Sequence, residues 1–190
     1  QNFEKLDYFL EQNILKIEKK LKKFVEKITI ILDLDVFFQL GISVKKNNYN
    51  NYIDIKGLNH LLYEAKDSCK KTIDQKKIIH MIIKNYQIDN KDYSRLPDNI
   101  KCQSYSLDLE IICISDVLVR KLEIILKRYH ISLKQVLSAS YIKNFFLPED
   151  GDLFLTAKKM IGGLNPNEVL MIDKIEKKQG FFEKFFNFFN

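Results

Sequence analysis

The stretch from Tyr105 to Ser115 constrains the fold most, because a strand pattern there runs directly into a helical one. One face of the strand is wholly apolar: Tyr105, Leu107, Leu109, Ile111 and Cys113. The opposite face changes from polar at Ser106 to apolar at Ile114, so the strand is predicted to begin half exposed and end buried. Ser115 then suits the N-cap of a helix ending near Tyr129. A strand followed directly by an amphipathic helix predicts a domain that packs helices on a sheet.

The rest of the first 146 residues adds helices and strands to this unit. Apolar residues three or four apart predict two more helices, over residues 3–24 and 58–69. Runs rich in β-branched residues predict four more strands, over residues 25–32, 36–44, 78–88 and 136–146. Polar stretches at 45–52 and 89–103 are predicted loops. The order α-β-β-α-β-β-α-β predicts the α+β class, with a single mixed α/β domain over residues 1–146.

The composition changes after this domain. Residues 147–179 are predicted to be a linker with one short helix at 153–161, followed by a breaker cluster around Gly162 and Gly163. Residues 180–190 form a third unit, which contains six of the fourteen phenylalanines. At about 100° per residue these six lie within an arc of roughly 160°, so an amphipathic helix is predicted.

The apolar face of residues 180–190 has three candidate partners: the domain's own core, a groove on another protein, or a membrane interface. Lysines precede it, which favours an interface with anionic lipid, and partial insertion of six phenylalanines is worth a gross ~5–9 kcal/mol. Because ordering the helix offsets much of that energy, a weak and reversible anchor is expected. The predicted membrane-binding residues are Phe181, Phe182, Phe185, Phe186, Phe188, Phe189, Lys174, Lys177, Lys178 and Lys184.

The net charge of +6 raises the question of a nucleic-acid partner. Only three of the 31 basic residues are arginines, and nucleic-acid readers favour arginine for its bidentate fork. No nucleic-acid partner is therefore expected, although a basic nucleic-acid-binding module remains an alternative. A second alternative is a soluble interaction domain whose Phe-rich tail packs on its own core.

The sequence offers little to support catalysis. It contains no Gly-rich phosphate loop and no nucleophile elbow, and His60, His80 and His130 lack ligand spacing. His80 lies in an apolar run, where a structural histidine with satisfied hydrogen bonds is expected. Asp33 and Asp35 are interpreted as turn residues that end a strand. A non-catalytic protein without a metal, nucleotide or other cofactor is expected.

Three cysteines complete the composition: Cys69, Cys102 and Cys113. Their odd number and uneven spacing predict buried, reduced thiols in a cytosolic protein instead of a disulfide framework. No apolar run approaches the ~20 residues needed to span a bilayer, so any membrane contact is expected to be peripheral.

Two parts of the chain resemble the bacterial cell-division protein FtsA. The first extends from about Asn2 to Phe146. Its motif is the run from Ile78 to Asp89, a loop containing Pro97, the charged strand Ser106–Ser115 and the helix Asp116–Tyr129. It is similar to the strand-helix-strand-strand subdomain that FtsA inserts into its actin-like fold. The second is the C-terminal segment, where Gly180 is followed by aromatic pairs, as in the membrane-targeting helix of that family.

The resemblance implies a reduced FtsA-like protein without the actin-like ATPase core. The nucleotide motifs of the family are missing, and Ile30–Asp35 is only superficially similar to one of them. No counterpart of the subdomain that binds the FtsZ polymer lies between Phe146 and Gly162. The resemblance implies a divisome adaptor bound to the cytoplasmic side of the bacterial membrane, with the inner leaflet, divisome proteins and further copies of itself as partners.

Overall fold

A computed structural model describes residues 3–146 and 151–169. Within them the helices are α1 (Phe3–Leu21), α2 (Ile55–Thr72), α3 (Asp116–Lys127), α4 (Ala139–Lys143) and α5 (Leu153–Ile161). The strands are β1 (Lys27–Leu32), β2 (Phe38–Tyr52), β3 (Lys76–Ile88), β4 (Lys91–Tyr93), β5 (Lys101–Ser115) and β6 (Ser132–Ser138). The elements form a mixed α+β domain, which confirms the predicted fold class.

A four-stranded antiparallel sheet with the order β2-β5-β3-β4 forms the centre of the domain. The apolar face predicted for β5 packs against α2, where Leu107, Ile111 and Cys113 are fully buried with Leu61 and Ala65. On the other face of the sheet, polar residues of β5 give way to buried Ile112 and Ile114, as the sequence predicted. The alternation therefore identified the central strand and the orientation of its two faces.

A second sheet contains only β1 and β6, which run parallel. Helix α3 connects β5 to β6 and packs through Val119 against Val136 of β6. Helix α1 packs beside the C-terminal end of α3, where Leu10 and Ile14 are buried with Leu126. Since α1 contributes only two buried residues, its other apolar side chains remain largely exposed, including Tyr8, Phe9 and Leu15.

The chain after β6 returns across the main sheet. Tyr141 and Ile142 of α4 pack with Met160 of α5 against Ile82 and Ile112. Residues 164–169 then follow α5, and their final part bonds to β3, with an antiparallel bridge between Ile82 and Glu168. The described part of the predicted linker is thus packed on the domain, while the helix predicted at 153–161 is confirmed.

Several predicted boundaries are wrong. The loop predicted at 89–103 contains β4 and the first three residues of β5. Residues 45–52 are not a loop but the second half of β2, because pairing with β5 outweighs the weak strand preference of lysine and asparagine. Residues 136–146 are not one strand, because Ser138 caps a new helix by accepting a hydrogen bond from the Tyr141 amide. The first helix also ends at Leu21, three residues before the prediction, and Lys22 has a left-handed φ of 55°.

Gly57 in the first turn of α2 is the basis of a stability prediction. A Cβ at this position would lie 2.6 Å from the Tyr105 hydroxyl and 2.8 Å from Asp54 Oδ1, which caps the helix. Gly57→Ala is therefore expected to lower the free energy of unfolding by about 1–3 kcal/mol, despite its better helix propensity. Gly41→Ala is the matched control, since its nearest atom would be 3.9 Å away. Equal stability of the two variants in urea denaturation would contradict the prediction.

Candidate functional site

A groove lies between β3 and β6 and is called here the β3–β6 groove. Its volume is about 740 Å³, and residues 76–79 of β3, residues 133–137 of β6, Val119 of α3 and Glu168–Val169 line it. The two strands meet at one end, where the Ser138 amide donates a 3.1 Å hydrogen bond to His80 Nε2. The groove lies where the two sheets separate, so backbone and side chains from four elements face it.

The β3–β6 groove is lined by more cationic than acidic side chains. The cations are Lys66, Lys70, Lys76, Lys77, Arg120 and Lys134, and the acids are Asp74, Asp116 and Glu168. Arg120 is paired with Asp116 at 2.6 Å, and Lys77 Nζ lies 3.6 Å from Glu123. Because six cations face three acids, the groove attracts negatively charged groups.

A buried polar network lies at the closed end of the groove, where β3, α4 and residues 165–168 meet. His80 Nδ1 lies 2.7 Å from Glu168 Oε1, and its ring packs against Tyr141 with centroids 4.5 Å apart. Because Nε2 accepts the Ser138 amide, the proton lies on Nδ1 and is donated to the Glu168 carboxylate. The expectation of a satisfied structural histidine therefore agrees with the position of His80.

Tyr141 extends this network to the other carboxylate oxygen. Its hydroxyl donates to Glu168 Oε2 at 3.2 Å and accepts from Asn165 Nδ2 at 2.9 Å. Burial raises the pKa of the Tyr141 hydroxyl, so it stays protonated and able to donate. The network fastens residues 165–168 to the sheet.

The backbone completes the attachment of this segment. The Ile83 amide donates to Asn167 O at 2.9 Å, and the Val169 amide donates to Met81 O at 2.8 Å. Val169 also packs beside the core beneath α2. The described chain is thus held on β3 up to Val169, which lines the β3–β6 groove.

The predicted membrane-binding residues all lie outside the described residues. These are Phe181, Phe182, Phe185, Phe186, Phe188, Phe189, Lys174, Lys177, Lys178 and Lys184. Among the helices of residues 3–146 and 151–169, none is long and apolar enough to cross a membrane.

The other candidate site residues from the sequence lie in different parts of the fold. His60 is exposed on α2 beside Glu64 at 3.6 Å, and His130 follows α3 with a φ of 60°. Asp33 follows the last residue of β1, as predicted, and accepts a 2.7 Å hydrogen bond from Lys143. In the described part of the chain, no group of three or more His, Cys, Asp or Glu residues is placed to hold a metal ion.

The cysteines are buried, and Cys69 and Cys113 lie in the same core beneath α2. Burial, with a smaller contribution from the neighbouring Cys69, raises the pKa of the Cys113 thiol to about 12. Burial also raises the pKa values of Cys69 and Cys102. All three thiols are therefore protonated at neutral pH, which makes them poor nucleophiles.

The raised pKa of Cys113 gives a pH-dependent stability prediction. The folded state keeps the thiol proton up to about pH 12, whereas an unfolded thiol loses it near 9.0, so stability falls as pH rises between these values. Cys113→Ala is expected to cost about 1 kcal/mol at pH 7, and this deficit should shrink between pH 9 and 10.5. Urea denaturation of both proteins at each pH measures the difference between their free energies of unfolding. A difference that does not change with pH would contradict the prediction.

Comparison with known proteins assigns neither a family nor a function to the chain. No protein-family model matches the chain, and no curated protein matches it.

Sequence reasoning missed the network around His80. Glu168, which contacts His80, and Asn165, which contacts Tyr141, lie in a stretch interpreted as linker and breaker, and Glu168 is 88 residues from His80. The only local signal was a lone acidic residue after the Asn165-Pro-Asn167 turn. No periodicity connects such distant side chains, so only the fold brings them together.

Proposed function

We propose that the chain is a non-catalytic adaptor that binds the cytoplasmic face of a bacterial membrane through residues 180–190. The observation that carries this proposal is the one-sided set of six phenylalanines, which follows three lysines within the last seventeen residues. Aromatic side chains insert at the level of the lipid headgroups, and nearby lysines are attracted to anionic lipid.

The position of Val169 supports this proposal. It is hydrogen bonded to β3 beside the cationic β3–β6 groove, so the last described residue lies next to positive charge. Only ten residues lie between Val169 and Gly180 in the sequence. Contact of residues 180–190 with anionic lipid would therefore bring a cationic part of the domain near the same surface, and each lysine there adds about 1 kcal/mol at most.

A role in cell division is the second part of the proposal. Apart from the three-residue strand β4 between β3 and β5, the order of β2, α2, β3 and β5 is strand-helix-strand-strand, which is the order of the FtsA subdomain that the sequence resembles. Exposed apolar side chains along α1, among them Tyr8, Phe9 and Leu15, provide a surface of the kind that binds protein partners. The adaptor would recruit or scaffold divisome proteins without an ATPase of its own.

Liposome flotation tests the membrane part. The full chain is expected to float with vesicles that contain phosphatidylglycerol and to float less with neutral phosphatidylcholine vesicles. A chain ending at Lys178 is expected to stay at the bottom with both. Equal flotation of the two proteins would overturn the anchor, and unfolding of the shortened domain would favour a tail packed on its own core.

The cell-division part is tested separately. A fluorescent fusion in the bacterium that makes the protein is expected to concentrate at the division site, and removal of residues 179–190 should disperse it. Uniform fluorescence of the intact fusion along the membrane would contradict a divisome role while leaving membrane binding intact.

A further inference from the structure

The apolar face of α1 is longer than the part of the domain that it covers. Leu10 and Ile14 on this face are buried in one core cluster. The same spacing of three or four residues continues to Ile17 and Leu21, but both of these side chains are exposed. Phe24 follows the helix and is 81% exposed. The C-terminal end of α1 therefore presents three large apolar side chains to solvent.

The turn after α1 holds Phe24 in its position. Lys22 has a left-handed φ of 55°, at the point where the helix ends. The Lys23 amide donates to Glu18 O at 3.3 Å, and the Val25 amide donates to Glu18 Oε1 at 2.9 Å. Both neighbours of Phe24 are thus bonded to the last turn of the helix. Because the backbone is already fixed, a partner can bind the exposed ring without ordering the chain first.

Six lysines accompany these apolar side chains, and all six are exposed: Lys16, Lys19, Lys20, Lys22, Lys23 and Lys27. Within residues 3–146 and 151–169 none of the six makes an ion pair. The acids of the same stretch are Glu18 and Glu26, so six lysines and two glutamates give residues 16–27 a net charge of +4. The six lysines with Ile17, Leu21 and Phe24 are called here the α1-end surface.

We propose that the α1-end surface binds anionic lipid as a second membrane contact, separate from residues 180–190. Its apolar side chains would enter the headgroup layer, while the ammonium groups remain beside the lipid phosphates. Charge complementarity identifies the occupant, because an excess of four positive charges on one short stretch matches a negatively charged surface. The aliphatic side chains and the lack of arginine in residues 16–27 make nucleic acid a poorer match.

A second contact also answers the weakness of the first. One anchor alone gives marginal and reversible binding, and stable attachment takes two signals. Four net charges strengthen binding to anionic lipid by about a thousandfold at most, which is too little to hold the domain on vesicles without residues 180–190. Once either contact forms, the other becomes intramolecular, so each strengthens the other. The inference rests on the proposed membrane role and adds a contact from described residues to it.

The opposite side of α1 supplies a matched control. Tyr8 and Leu15 lie about 120° or more round the helix from Leu21, at about 100° per residue. Glu4 and Glu11 share their side of the helix, and negative side chains oppose contact with anionic lipid. Leu15 and Leu21 are both exposed, by 65% and 51%, so they differ mainly in their charged neighbours.

Vesicle titration of the full chain tests the second contact. Leu21→Ser and Phe24→Ser are each expected to lower the partition coefficient on vesicles that contain phosphatidylglycerol by about fivefold or more, because each removes an apolar side chain from the interface. Leu15→Ser is expected to change it by less than about twofold, because its side chain lies away from the lipid. Urea denaturation shows whether each variant is folded, and the exposed Phe24 can be replaced without opening the core.

A fluorophore that responds to its environment gives a direct readout. It is attached to Phe24→Cys or, as the control, to Leu15→Cys, since the native cysteines are buried. Vesicles that contain phosphatidylglycerol are expected to shift the emission at position 24 to shorter wavelength and to leave the emission at position 15 unchanged. Equal shifts at both positions would overturn the proposal.

The outcomes separate this contact from the proposed anchor. Weaker partitioning of Leu21→Ser and Phe24→Ser, with Leu15→Ser unchanged, supports the α1-end surface. Unchanged partitioning of all three variants would overturn it and leave the anchor standing. Weaker partitioning of the first two, with no loss on removal of residues 179–190, would overturn the anchor and leave the α1-end surface as the membrane contact. Failure of the unaltered chain to bind either kind of vesicle would overturn both.

Other occupants of the α1-end surface have their own signatures in the absence of vesicles. A short-wavelength emission at position 24 that disappears on dilution would assign the surface to a second copy of the chain. One that disappears when the chain ends at Lys178 would assign it to the C-terminal residues. Either result would overturn lipid as the partner.

Discussion

Replacing Phe185 with aspartate is expected to release most of the protein from vesicles that contain phosphatidylglycerol. The substitution removes an apolar side chain whose burial is worth ~1.5–3 kcal/mol and adds a negative charge that anionic lipid repels. Since each 1.4 kcal/mol is a factor of ten, the partition coefficient should fall at least tenfold and by as much as a hundredfold or more. Phe186→Asp should behave in the same way. Titration of fluorescently labelled protein with vesicles measures the change.

Asn187→Asp is the matched control, because it adds the same charge to the polar side of the predicted helix. We expect it to weaken partitioning by about fivefold or less, because one charge near the surface is worth ~1 kcal/mol or less. Comparable losses for Asn187→Asp and Phe185→Asp would mean that charge alone governs binding. The one-sided apolar face would then have no role in the anchor.

His80→Ala is expected to lower the free energy of unfolding by about 3 kcal/mol. The side chain is fully buried, so its removal leaves a cavity and also leaves the Ser138 amide and Glu168 Oε1 without the hydrogen bonds that His80 makes to them. This is a large part of the 5–15 kcal/mol that stabilises a typical domain. Urea denaturation followed by circular dichroism measures the loss.

Two further variants make the His80 prediction specific. His60→Ala removes an exposed histidine from α2 and should change stability by less than about 0.5 kcal/mol. His80→Ala combined with Glu168→Ala should cost less than the sum of the two single variants by at least 1 kcal/mol, because they share one network. Additive losses would show that His80 acts through packing alone.

The sequence predicted an element most accurately where the burial of one face of that element determines its structure. The period of two in β5 and the helical spacing in α3 follow from which side chains must be buried, and both elements lie where the patterns put them. The short helix α5 was predicted with its observed bounds, because an apolar run lies between the Asp152 cap and Gly162. Local patterns suffice when burial and capping act on the same residues.

Prediction failed where a distant partner decides the structure. Residues 45–52 are polar and read as a loop, yet pairing with β5 makes them a strand. Residues 164–169 read as part of a linker, yet hydrogen bonds to β3 fasten them, and Glu168 completes the network around His80. Backbone pairing depends little on side-chain identity, so such contacts leave a weak trace in sequence.

The sequence by itself determined the fold class and the central strand, because both depend on the spacing of apolar residues along the chain. Only the tertiary structure decided where residues 164–169 lie. It brought Glu168 to His80 across 88 positions, separated β3 from β6 and surrounded the resulting groove with lysines from different elements. The physical reason is that a groove and a buried network are properties of packed surfaces, which form only when segments far apart in the chain are brought into contact.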